Sequence, residues 1–403
     1  MKHRGFLSER EIPAGPSLMV LCYTRSSRPK NWENAMKRRK FLGSASAVGL
    51  SLALPVKAAG MVDYSTTGAQ VIRGSAAEDG YTFPAEWVPH ERTLMKFPRA
   101  ESWSRRKLLP ARQEWANVAN TVAEFEPVTM AVQPQDRAVA KSMLSSQIEL
   151  IEMPLNDAWS RDSGPMIVQN KNGDRRIAGF TFNGWGEKFP PYKDDQMAKG
   201  RFAAHLGMPM YQSDLVLEGG AVAFDGQGTI LTTEECLLHP NRNPNWSKAR
   251  VEAELKAQLG ATKVIWLPKG LTPDPITDGH VDGIAAFARP GVVLLHTTDN
   301  VFDPNKAITA AAKSILENTT DAQGRRLEII EIPLTSAKVV HMNFYICNGA
   351  VVVPVSGKAS EDEGPLSVIQ DAFPRHKVLG ASGRIIASGG GGVHCITQQV
   401  PAI

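Results

Sequence analysis

The chain has 403 residues, 42% hydrophobic and 21% charged, a composition that supplies a substantial core and marks a globular protein. Its formal net charge of +4 is unevenly spread: residues 1–58 hold 11 basic and 3 acidic residues, leaving 34 basic against 38 acidic over 59–403. A mildly acidic body argues against a nucleic-acid partner and is compatible with a cationic one.

In chain order, Lys37-Arg38-Arg39-Lys40 precedes a moderate apolar run, and Val56-Lys57-Ala58 supplies the small residues of a cleavage site. That pattern resembles a twin-arginine export signal over 36–58, which predicts passage through the twin-arginine machinery and a periplasmic or secreted product. The apolar run falls short of a membrane span, which takes roughly 17–25 residues. Residues 1–35 read as an upstream extension, 59–82 as a mobile mature N-terminus, and 83–403 as one catalytic domain. Three cysteines remain after 58, namely Cys236, Cys347 and Cys395, too few and too odd in number for a disulfide framework.

From residue 93 onward strand and helix signals alternate. Strands are predicted over 93–97, 128–132, 148–153, 176–182, 209–212, 221–224, 229–233, 264–267, 283–288, 292–296, 327–332, 344–346 and 351–355. Helices are predicted over 107–125, 194–206, 247–259, 305–318 and 365–373, with a last strand after 395. Strands interleaved with helices of 10–15 residues indicate an α/β protein. Polar, Gly/Pro-rich breaks recur between the units, marked by Asp162, Glu218, His280, Asn343 and Cys395 at gaps of 56, 62, 63 and 52 residues. A near-regular period of that size suggests repeated supersecondary units around a common axis, with loops from each unit converging on one place.

These breaks carry the residues with chemistry. Four glycines, Gly389 to Gly392, precede Cys395, so the thiol is either a nucleophile presented from a glycine loop or a small core residue beside a turn. Trp159 and Asp162 could hold a planar cation, the ring covering an apolar stem, or belong to core and turn. Glu218 ends a buried apolar strand, a position that is costly for a carboxylate without a partner. His280 and Asp282 would share one face of a strand, with Asp278 beside them if the strand reached back, His280 as acid/base and Asp282 as anchor for a cation. Ligation of a metal by His280, Asp282 and Cys395 is a rival, weakened because no second histidine sits at ligand spacing. Asn241-Arg242-Asn243-Pro244 reads as a structural turn, Cys236 and Cys347 as core residues, and Trp185 as either a pocket residue or a core or rim residue.

Six stretches in order, WSRDSGP (159–165), LEGG (217–220), LTTEECLLHPNRNP (231–244), TDGHVD (277–282), NFYICNG (343–349) and GGGGVHCITQQVP (389–401), resemble the agmatine deiminase family and its Porphyromonas-type peptidyl-arginine deiminase relatives. The resemblance implies a single-domain, five-bladed pseudo-fivefold α/β propeller (the pentein fold). It also implies cofactor-free, metal-free hydrolysis of a small cationic guanidine substrate. Cys395 would be nucleophile, His280 general acid/base, Asp162 and Asp282 the guanidinium grip, Glu218 a partner to substrate or histidine, with Trp159 and Trp185 lining the pocket. Agmatine would then give N-carbamoylputrescine and ammonia. Peptidyl-arginine is the alternative substrate, and a non-catalytic binding protein on the same fold is the alternative class. Homo-oligomers are common among such relatives. The chain departs from the family's usual pattern at His341-Met342, at Val355-Ser356-Gly357-Lys358 and at Glu187, loops that bear on substrate choice. Between 180 and 191 the only basic residue is Lys188, which favours agmatine over an arginine whose carboxylate needs a cation.

Overall fold

The computed structural model describes residues 61–336 and 338–403; the stretches read as an export signal and an upstream extension lie outside them. One pattern repeats five times: two antiparallel strands, a helix, and a third strand parallel to the second. Parallel neighbours require a crossover, and in each unit an amphipathic helix supplies it. The units are Met166–Asn170, Arg175–Thr181, helix Lys193–Leu206 and Met210–Val216; Val222–Phe224, Thr229–Thr233, helix Lys248–Leu259 and Lys263–Leu267; Ala285–Arg289, Val292–Thr297, helix Asn305–Glu317 and Glu328–Pro333; and Tyr345–Cys347, Ala350–Val355, helix Ala359–Ala372 and Lys377–Ser382. The fifth is built from both ends of the domain: Thr397–Pro401 pairs antiparallel with His90–Lys96, followed by helix Arg105–Ala123 and the parallel strand Val128–Val132. This is the pseudo-fivefold α/β propeller, closed by its own C-terminal strand.

Local sequence accounts for these elements. The middle strands are buried on both faces, which is why Val351-Val352-Val353 is a continuous apolar run rather than an alternating one. Ser247 caps its helix by accepting from the Arg250 amide. The first strand of each unit stands innermost, Val222–Phe224 packing against Ala285–Arg289 and Thr397–Pro401 against Met166–Asn170. Asp162, Glu218, His280, Asn343 and Cys395 each fall two to five residues before one of these inner strands. The spacing of the polar breaks is therefore the spacing of the blades, and its loops open at one end of the axis.

Three expectations need correction. Residues 61–82 are not a loose tail: Val71–Ile72 pairs with Met210–Val216, Tyr81–Thr82 pairs with Met166–Asn170, and Tyr64 is buried. Their polar composition hid edge strands that rely on a neighbouring blade. Two strands went unforeseen, Met166–Asn170 and the half-exposed Lys377–Ser382, the second because Gly380 and its polar edge weaken the alternation. The helix expected from 365 begins at Ala359, with Pro365 inside it.

Candidate active site

Cys395 lies on a 3₁₀ turn, His394–Ile396, directly after the glycine loop, and is buried. The loop can reach under Ile276 only with glycine: Gly390 has φ +102°, and a Cβ there would stand 2.1 Å from Ile276 Cδ1. The Asn343 carboxamide oxygen accepts from the Cys395 amide at 3.2 Å and lies 3.3 Å from Sγ, while Asp282 Oδ2 lies 3.6 Å from Sγ. Burial, then Asp282 and Asp162, push the thiol well above its ordinary pKa, against the Gly392 and Asn343 hydrogen bonds. Cys395 therefore rests as a thiol.

Asp162 is oriented through both oxygens. Trp185 Nε1 donates to Oδ2 at 2.9 Å, and the Gly220 amide donates to Oδ1 at 3.2 Å. Burial, reinforced by Asp282 and Glu218, raises the Asp162 carboxyl despite the nearby His280. Trp185 holds its indole there from a left-handed backbone, φ +55°. Trp159 packs edge-on against Trp115 at 5.3 Å and also lines the cavity beside Cys395, so both readings of it hold.

His280 does not sit on a strand. It precedes the 3₁₀ turn Val281–Gly283, which brings it and Asp282 to the site by turn geometry rather than strand alternation. Its Nδ1 lies 3.9 Å from Asp162 Oδ1, and Nε2 lies 3.5 Å from Glu218 Oε2. Burial alone would lower this imidazole; Asp162, Cys236 and Glu218 outweigh it and hold the ring protonated well above the ordinary histidine range. Asp278, expected beside them, instead has φ +60° and turns away to Lys188 and Arg242 at 2.5 and 2.9 Å. The rival metal set is not assembled either, because it is Glu218 and Cys236, not Asp282 and Cys395, that gather with His280.

Several residues of the site escaped the sequence. Arg242, read as part of a structural turn, is buried and holds Glu218 Oε1 at 2.8 Å while reaching the Thr277 carbonyl. Burial would raise the Glu218 carboxyl, but Arg242 and His280 outweigh it and keep it low. His394, beside Cys395, bridges Asp282 at 2.9 Å and Glu86 at 2.8 Å, and Glu86 in turn pairs with Arg161 at 3.0 Å. Burial opposes ionisation of Glu86, yet Arg161 and His394 bring it down to about 2. A histidine abutting Cys395 was the available signal, but neither partner is near it in sequence. Asp157 lines the inner cavity with Trp159, Asp162, Trp185, Phe189 and Cys395; burial and the Asp195 charge push it up to about 7.

The Asp162, Asp282 and His280 side chains face one small space above Gly220. An ideal Cβ on Gly220 would stand 2.7 Å from both Asp282 Oδ2 and His280 Nδ1, and 3.1 Å from Asp162 Oδ1. Gly220 is not in the left-handed region, so alanine adopts this backbone without strain and its methyl enters the site. We expect Gly220→Ala to fold normally yet lose about 10²-fold or more in kcat/KM, the effect of misplacing reacting groups by about 1 Å. Thermal melting alongside steady-state kinetics checks both halves.

Five ββαβ blades with a cysteine, a histidine and three carboxylates gathered at one end of the axis define the pentein class of α/β propellers. The sequence profile of the Porphyromonas-type peptidyl-arginine deiminase family matches residues 82–401, and the chain belongs to that family. It is similar to the agmatine deiminase of Stutzerimonas stutzeri, 39% identical over 358 residues that cover 81% of this chain and 96% of the relative. The agmatine deiminase of Medicago truncatula is 38% identical over 364 residues, covering 80% and 97%. Among solved structures, the agmatine deiminase of Enterococcus faecalis superposes with a TM-score of 0.80 at 33% identity, over 83% of this chain and 99% of its own.

Proposed function

We propose that the protein hydrolyses agmatine to N-carbamoylputrescine and ammonia through a covalent Cys395 adduct. The observation that carries the choice of substrate is the inner cavity walled by Trp159, Trp185, Phe189 and Ile276, with Asp157 and Asp162 and no basic side chain among its lining residues. Lys188 is committed to Asp278 at 2.5 Å and to two backbone carbonyls. Such a cavity suits a dication with an apolar middle and offers a carboxylate no partner.

The guanidinium lies between Asp162 and Asp282, which fix its plane and polarise its carbon. Its charge offsets the two anions that hold the proton on Sγ, so that proton leaves to the cleft and the thiolate forms beside its target. Sulfur attacks the carbon, and the tetrahedral adduct collapses as the His280 imidazolium gives a proton to the departing nitrogen, releasing ammonia. His280, now neutral with Nε2 toward Glu218, takes a proton from water. The hydroxide adds to the thiouronium; as the C–S bond breaks, the new hydroxyl gives its proton to the leaving Cys395 sulfur, which restores the thiol and leaves the neutral ureido product.

The deciding experiment is ureido-product formation from agmatine, free arginine and an arginine-containing peptide. Turnover of agmatine in preference to the others supports this reading. Preference for the peptide replaces it with peptidyl-arginine deimination, and no turnover of any overturns it in favour of a binding protein. Asp157→Asn is expected to raise KM for agmatine by about 10-fold or more while leaving that for methylguanidine within about twofold, since only agmatine carries the distal ammonium.

The twin-arginine stretch supports export of the folded enzyme. Replacing Arg38→Lys together with Arg39→Lys is expected to retain the protein in the cytoplasm, as cell fractionation and immunoblotting would read. An unchanged distribution would remove the export reading.

A further inference from the structure

We propose that Glu218, Cys236 and His280 form a zinc site behind the acid/base imidazole, through which the metal reversibly inhibits the enzyme. The three side chains are 0%, 0% and 4% exposed, and one ligand atom from each lies within 4.8 Å of the others. His280 Nδ1 faces the Asp162 and Asp282 carboxylates, so its work on substrate occupies that nitrogen. Nε2 points the other way, 3.5 Å from Glu218 Oε2, and neither atom completes a well-formed hydrogen bond among the described residues. Glu218 is half spoken for: Arg242 holds Oε1 and leaves Oε2 aimed at the histidine.

The oxygen–nitrogen edge of the site suits a tetrahedral ion. Oε2 and Nε2 are 3.5 Å apart, too long for a good hydrogen bond but close to the ligand–ligand edge, about 3.4 Å, of a tetrahedron with bonds of about 2.1 Å. A sulfur, a nitrogen and an oxygen donor match zinc, whereas calcium and magnesium call for oxygen alone. The Cys236 thiolate supplies one charge against the ion and Glu218 the other while it stays paired with Arg242, so binding releases the protons of the Cys236 thiol and the His280 imidazolium. Of the three ligands only His280 borders the open cleft shared with Asp282 and Cys395, so an ion enters only as this ring moves aside. With Nε2 bound to metal, the ring cannot turn over between its protonated and neutral forms, so deimination stops.

The binding claim stands apart from the reading of activity, because it is tested in an inactive chain. Cys395→Ser removes the nucleophile as a competing thiolate. Titrated with Zn²⁺, this variant is expected to bind one ion per chain. With Co²⁺ it is expected to show thiolate-to-cobalt charge-transfer absorption. Adding Cys236→Ser, nearly isosteric and so compatible with the core, is expected to abolish that absorption and weaken zinc by at least about 10-fold, the lower end of what even outer-shell partners contribute. In the parent enzyme, zinc should inhibit and a chelator should restore turnover, with Cys236→Ser shifting the inhibitory concentration upward by a similar factor. No bound zinc in Cys395→Ser overturns the proposal, as does binding unaltered by Cys236→Ser. Inhibition that persists unchanged in Cys236→Ser assigns the metal to Cys395 instead.

Discussion

Replacing Cys395 by serine is expected to lower ureido-product formation by about 10⁴-fold or more, the scale seen when the nucleophile of a covalent mechanism is removed. A serine hydroxyl in this position faces the same Asp162 and Asp282 charges that already hold the thiol protonated, and its far higher intrinsic pKa puts the alkoxide out of reach even with a guanidinium bound. The binding elements remain, because Asp162 is held by Trp185 and Gly220, and Asp282 by His394. The variant should therefore bind agmatine, measurable by calorimetry, without turning it over. Mass spectrometry of the parent enzyme quenched during turnover should show the adduct on the peptide containing Cys395. Retained turnover in the serine variant would sink the covalent mechanism.

Asp162→Asn is expected to push two measurements in opposite directions. Catalysis should fall by about 10²–10³-fold, the loss typical of one preorganised electrostatic contact to the reacting group. The resting thiol should become more reactive. Asp162 is one of the two anions that raise the Cys395 pKa, so its neutralisation lowers that pKa and increases the thiolate fraction at any pH below it. Alkylation by iodoacetamide should then be faster than in the parent, with its pH midpoint shifted down. In the parent, a cationic guanidine analogue too large to react should have the same sign of effect on the thiol pKa as the substitution, because it offsets the same charge. Alkylation slowed by Asp162→Asn would contradict the substrate-assisted ionisation argued above.

How these residues become neighbours explains what could be read in advance. Asp162, Glu218, His280, Asp282 and Cys395 were legible because each sits in a polar break of recurring period, and the blades translate that period into a shared axis. His394 and Arg242 were not legible as site residues, since their partners Asp282, Glu86 and Glu218 lie 24 to 308 residues away in the chain. The strand reading of His280 and Asp282 failed because a tight turn places both at the site as well as alternation would. The edge strands at 71–72 and 81–82 failed for a related reason: they are two residues long and owe their conformation to the blade they extend.

Periodicity, helix length and the order of motifs are properties of neighbouring residues, and from them the sequence by itself determined an α/β chain of repeated units with a thiol, an imidazole and carboxylates at its loops. The charge state of each of those groups depends on burial and on partners from other blades. Only the tertiary structure decided that Cys395 rests as a thiol between two anions, that His280 stays protonated with one nitrogen toward Asp162 and Asp282 and the other toward Glu218 and Cys236, and that Lys188 is tied to Asp278, because Coulomb interactions act through space and not along the chain.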